Sequence, residues 1–133
     1  MSKVITGSFD DNYNDIVKRG SSNVNMRDVG KVVEDGEKIK DKAKKHLGAT
    51  LFKKIVTLWE MVRDFSTGKY KNVSFATIAT ITFALIYFLS PADLIPDIIP
   101  GIGYVDDITV LGFVFESLEN EINRYLRWKK KQA

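Results

Sequence analysis

The sequence predicts an all-α fold, a small bundle of about four helices with a Pro/Gly/Asp-rich corner between the last two. Three observations point there. Apolar residues form three amphipathic stripes at helical spacing. A fourth stretch, Val73 to Leu89, has no charged face at all. All three prolines, Pro91, Pro96 and Pro100, sit between residues 90 and 107, so the strongest helix breakers are confined to one place.

The 133 residues suit a single domain with one core. Residues 1–25, rich in Asn, Asp, Ser and Gly, read as a flexible polar arm. Residues 26–131 read as one helical domain. From Met26 to Leu47 the apolar positions are Val29, Val32, Val33, Ile39, Ala43 and Leu47, with Gly48 as the stop. Within Thr50 to Phe65 the stripe is Leu51, Ile55, Leu58, Val62 and Phe65, widened by Phe52, Val56 and Trp59, and Ser66-Thr67-Gly68 ends it. In Val73–Leu89 the only polar stripe is the hydroxyls of Ser74, Thr77 and Thr80, which can bond back to the backbone. The last helix runs from about Asp107 to Lys130. Its stripe is Ile108, Leu111, Phe115, Leu118, Ile122 and Tyr125.

The corner reads SPADLIPDIIPGIGYVDD. Ser90 caps a helical turn, with Pro91 at its first position and Asp93 at its third. Pro96 and Pro100 stop a long regular helix, while Gly101 and Gly103 permit a tight reversal. Asp106 or Asp107 then caps the next helix.

Charge is unevenly spread. Residues 1–71 carry 15 Lys/Arg and 10 Asp/Glu, whereas residues 72–115 carry no cation and only Asp93, Asp97, Asp106 and Asp107. The uncharged run from Asn72 to Ala92 is 21 residues, enough to pose the question of membrane entry. Lipid contact would fall on Phe75, Ile78, Ile81, Phe83, Leu85, Ile86 and Phe88. Trp128, Lys129 and Lys130 of the basic C-terminus would sit at headgroups. By the positive-inside rule the N-terminal half stays cytoplasmic, at the cytoplasmic membrane. The alternative is a soluble cytoplasmic bundle with Val73–Leu89 as its central helix.

The string Ala84 to Leu111 resembles the YkvA-like family of mainly bacterial helical domains. Tyr87, Ser90, Pro91, Asp93, Leu94, Ile95, Pro96 and Asp97 match the first half of its pattern. Pro100, Gly103, Tyr104, Asp106 and Asp107 match the second. Leu58-Trp59 and Arg63-Asp64 resemble the family's preceding helix, so the likeness covers about residues 55–115. It implies a small membrane-associated helical protein and no established reaction or ligand.

Chemical motifs are few. There is no cysteine and one histidine, His46, which excludes thiol nucleophiles, disulfides and the common zinc sets. Asp10, Asn12 and Asn14 imitate an EF-hand start, but Asp15 stands where the loop needs glycine and Ser21 where it needs glutamate. Tyr104-Val105-Asp106-Asp107 spells a polymerase metal motif in a chain too short for a palm domain. Gly101-Ile102-Gly103 lacks the strand, third glycine and lysine of a phosphate loop. Convergence of Asp93, Asp97 and Asp107 on Mg²⁺ or Ca²⁺ is the one metal site the spacing permits, against the simpler reading that each aspartate caps backbone N–H groups.

The function expected is therefore a non-catalytic membrane-associated module contacting lipid or a membrane-protein partner, with no cofactor. The less favoured readings are a soluble interaction module, a divalent-cation-binding protein, or a nucleic-acid accessory protein resting on the C-terminal lysines. A net charge of +3 is small for the last. If the corner aspartates act as caps, Asp93→Ala or Asp107→Ala lowers unfolding stability by ~1 kcal/mol or more. Calorimetric titration checks the alternative: tight stoichiometric Mg²⁺ or Ca²⁺ binding that Asp93→Ala abolishes would overturn the structural reading.

Overall fold

The computed structural model describes residues 14–15, 17–89 and 107–132, with side chains from residue 110 onward in the last segment. Asp93, Asp97 and the Ser90–Asp106 corner lie outside the described residues, as does the side chain of Asp107. Every regular element among the described residues is helical: α1 (Met26–Glu34), α2 (Gly36–His46), α3 (Ala49–Ser66), α4 (Phe75–Leu89), α5 (Asp107–Ser117) and α6 (Glu119–Gln132). The all-α expectation holds. The count of about four does not, because two of the expected helices are each divided and a further helical stretch, residues 17–22, precedes them.

The first division, at Asp35, has a packing cause. The Trp59 indole N–H donates to the carbonyl of Val32 at 3.0 Å, taking an acceptor that the helix ladder would otherwise use. Gly36 lets the ring come that close: a Cβ there would stand 2.5 Å from the Trp59 ring. An N-terminal capping box holds the other end of α1. Asp28 N–H donates to the Asn25 side chain at 3.1 Å, and Asn25 N–H donates to the Asp28 carboxylate at 3.0 Å. The second division, at Leu118, is milder. Leu118 N–H still donates to Val114 O at 3.0 Å, and Ile122 N–H to Leu118 O at 2.9 Å. The buried face runs on across the break. Val110, Leu111 and Val114 are buried on α5 and Ile122 and Tyr125 on α6, while Phe115 and Leu118 are only half-buried.

Helix α4 is central: it packs against α1, α2, α3 and α5, and α6 lies on α3 and α5. Its N-terminus is capped by Ser74, whose Oγ accepts the Thr77 N–H at 3.2 Å. Its last turn carries no cation of its own. Lys42 from α2 supplies one, donating to the Phe88 carbonyl and lying 4.8 Å over the Phe88 ring. The core joins Val29, Val32, Ile39, Ala43, Ile55, Leu58, Met61 and Val62 to the whole inner surface of α4. Thr82 is fully buried there, and its hydroxyl has no hydrogen-bond partner among the described residues.

Two expectations change here. Ile78, Ile81, Phe83, Leu85 and Phe88 are each 2% exposed or less, and Ile86 is half-buried. The charge-free face thus largely meets protein, and of the seven residues expected at lipid only Phe75, at 40%, is well exposed. Nor does the described part of α4 reach the length of a membrane span. Its 15 residues make about 22 Å of helix against roughly 30 Å of hydrocarbon, and no helix among the described residues is long and apolar enough to cross a membrane. Within the expected polar arm, residues 17–22 are helical, with Val17 buried and Gly20 pressed against Phe83. Those two positions are three apart and share one helix face.

Gly36→Ala tests the close approach at the α1–α2 junction. A methyl group forces the buried Trp59 ring aside, which costs ~1–3 kcal/mol and outweighs alanine's ~1 kcal/mol advantage in helix propensity. Urea unfolding is expected to show a lower midpoint, with the slope unchanged.

Candidate functional site

The end of α3 carries the one buried acidic side chain among the described residues. Asp64 is 5% exposed. Burying a carboxylate is costly unless its oxygens are engaged, and both are. The Tyr125 hydroxyl donates to Oδ2 at 2.6 Å, and Arg63 Nε donates to Oδ1 at 3.2 Å. The Asp64 carbonyl is engaged too, accepting the Tyr70 N–H at 3.0 Å and the Thr67 hydroxyl at 3.3 Å. These bonds fold the chain after α3 back on itself. Gly68, at φ +80°, makes the reversal.

The reversal seats Tyr70 between α3 and α6. Its ring meets Tyr125 edge-on at 5.1 Å and Trp128 at 4.9 Å, and Trp128 stacks on Tyr125 at 5.7 Å. Phe65 and Phe75 meet at 6.3 Å, tying the start of α4 to the same end of the molecule. Lys129 pairs with Glu60 at 2.5 Å.

Burial pushes the Tyr125 hydroxyl far above its ordinary pKa of 10.0, and the Asp64 carboxylate that it serves pushes the same way. Burial also raises Tyr70, partly offset by Arg124 and Arg127 nearby. A tyrosine held protonated is a fixed donor, not a base or nucleophile. The cluster is built to hold α3, the 67–74 turn and α6 together.

A groove of about 280 Å³ lies on the other side of α6's start. Leu51, Ile55 and Leu58 of α3 face Leu111 and Phe115 of α5 across it. Lys54, which lies 4.8 Å over the Phe115 ring, together with Glu116 and Glu119, gives it charged lining. Among the described residues no group of three or more His, Cys, Asp or Glu converges to hold a metal ion. His46 is exposed at the end of α2.

Of the headgroup residues expected at the C-terminus, Trp128 is half-buried in the aromatic cluster, Lys129 is engaged with Glu60, and Lys130 is exposed. Arg63-Asp64 and Leu58-Trp59, picked out as family-like, turn out to occupy structural positions: Leu58 in the core, Trp59 on Val32, Asp64 on Tyr125. The Asp64–Tyr125 pairing had no sequence signal, since 61 positions separate the partners.

Comparison with known proteins decides the family. A stretch of 75 residues, 56% of this chain, is 36% identical to the "Uncharacterized membrane protein YkvA" of Bacillus subtilis (strain 168) and covers 71% of that protein. The chain belongs to the YkvA-like family. Residues 77–113 also match the family model described as "Protein of unknown function (DUF1232)". No solved structure matches the chain. The family match on this YkvA-like chain thus spans the central helix α4, the corner and the first half of α5. The Asp64–Tyr125 cluster flanks that match on both sides in sequence.

Because Tyr125 binds its proton more tightly in the folded state than in the unfolded chain, folding stability is intact below the ordinary value of 10.0 and falls as pH rises above it. Tyr125→Phe flattens that alkaline fall. At neutral pH it costs ~1–3 kcal/mol by leaving one buried Asp64 oxygen unserved. Urea midpoints measured from neutral pH to about pH 11 check both effects.

Proposed function

We propose that this YkvA-like chain is a non-catalytic helical module of the cytoplasmic membrane, associating through its surface with lipid or with a membrane-protein partner. The observation that carries the reading is the relative named a membrane protein, 71% of which this chain covers at 36% identity. The fold bears on the mode of association. The described helix with the fewest polar side chains is enclosed by four neighbours, so surface contact is the means left to the described helices. A cytoplasmic placement is supported by the 15 Lys/Arg of residues 1–71, since the cytoplasmic leaflet is the anionic one. The non-catalytic part is supported by Asp64, a buried acid whose two oxygens are already taken by Tyr125 and Arg63.

A second reading, a soluble helical interaction module, draws on the burial of α4 and on the groove between α3 and α5. Fractionation separates the two. The full chain is expected to pellet with membranes and to be released by high salt or alkaline carbonate. A monodisperse protein that stays in the supernatant without detergent replaces the membrane reading with the soluble one. Resistance to both washes would instead establish an integral protein.

A further inference from the structure

The C-terminal half of α6 is strongly basic. That helix separates its charges along its axis. Glu119 and Glu121 stand in its first turn, and no acid follows Glu121. Arg124, Arg127, Lys130 and Lys131 recur at spacings that put them on the side opposite Ile122 and Tyr125, and all four are exposed. Inward-facing Tyr125 and Trp128 hold Tyr70 against α6 at 5.1 and 4.9 Å. The turn carrying Tyr70 brings Lys69 and Lys71, both exposed, to the same end. Between Phe65 and Phe75 there is no acidic residue. None of these six cations joins an ion pair among the described residues.

Apolar side chains accompany them. Phe75 is 40% exposed beside Phe65, and Leu126 is 43% exposed on α6. Trp128 is half-buried at the rim of the aromatic cluster. Unpaired cations with exposed Phe and Leu and a rim Trp fit a surface that is anionic outside and apolar just beneath.

We propose that Lys69, Lys71, Arg124, Arg127, Lys130 and Lys131 form a docking face for the anionic lipid headgroups of a bilayer, with Phe75 and Leu126 entering the interface. The occupant follows from charge complementarity and from the apolar residues at the same end. A nucleic-acid phosphate backbone would use the cations alone. The Asp64–Tyr125 bond makes the face a composite, because it holds the 67–74 turn and α6 in one place. This inference rests on the membrane reading above and goes beyond it in naming the surface and the lipid class.

The test is co-sedimentation of the full chain with vesicles. One set is equal parts phosphatidylglycerol and phosphatidylcholine, and the other is phosphatidylcholine alone. Binding is expected only to the first set and weakens as salt rises. Near an anionic surface each basic residue contributes about fivefold in partitioning, so Arg124→Gln/Arg127→Gln lowers it about 25-fold. Lys18→Gln/Lys44→Gln removes the same charge elsewhere, from residues exposed on 17–22 and α2, and lowers it far less. Equal losses in the two double variants would overturn the face. So would tighter binding to duplex DNA or RNA than to the vesicles, or loss only in Phe75→Ser/Leu126→Ser. The two claims fail separately. A chain that pellets with native membranes in both double variants removes the face and keeps the membrane reading, whereas a wild-type chain in the supernatant removes the reading itself.

Discussion

Asp64 is a carboxylate taken almost wholly out of water, and the arrangement of one end of the molecule follows from how it is satisfied. Its Oδ2 requires Tyr125, which places α6 against α3. Its backbone carbonyl requires the Tyr70 N–H, which turns the chain back after α3. Tyr70 then fills the space between Tyr125 and Trp128. Removing one partner from a buried ion or hydrogen-bond pair costs more than the pair contributes, because the remaining group stays buried and unserved. The cluster therefore behaves as a unit. Oδ2 ties α6 to α3, and the backbone carbonyl ties in the 67–74 turn.

Five residues earlier on α3, Trp59 has a comparable role. Its indole N–H takes the Val32 carbonyl, and its ring occupies the space that a side chain at Gly36 would need. Two cations also lie over the ring, Lys40 at 4.5 Å and Arg63 at 5.1 Å. One aromatic residue of α3 thus meets the junction at which α1 ends and α2 begins. It is joined to the Asp64 cluster through Arg63, whose Nε reaches Asp64.

Between these two anchors α4 is enclosed. A helix without charge is stable in water only when its whole circumference is covered, and here α1, α2, α3 and α5 cover it. Among the described residues, the absence of cations from 75–89 is thus the signature of a core helix. Cations and exposed apolar side chains are left to the periphery, above all to α6 and the turn before α4. A protein that meets a bilayer with its surface needs that division: an enclosed apolar centre and a basic rim.

The sequence by itself determined that the chain is helical, where the apolar stripes of α1 to α4 run, and that the prolines gather in one corner. Its long motif was enough to assign the family. Stripe positions such as Val29, Ile39, Ile55, Leu58 and Val62 were legible because helical periodicity is a local property, set by residues within two turns of one another. Three decisions belonged to the tertiary structure. Whether Val73–Leu89 lies in lipid or in protein depends on what surrounds it, and a uniformly apolar helix carries the same pattern in either case. The division at Asp35 depends on Trp59, 23 positions away from Gly36, and no window along the chain joins the two. The burial of Val110 and Val114 in place of Phe115 and Leu118 depends on which neighbours α5 meets, and the stripe alone does not show them. Last, Asp64 reads as an ordinary polar position beside an apolar stripe. Only the approach of Tyr125 from a distant helix makes its burial possible, because a charge can leave water only where a partner from elsewhere in the chain is waiting for it.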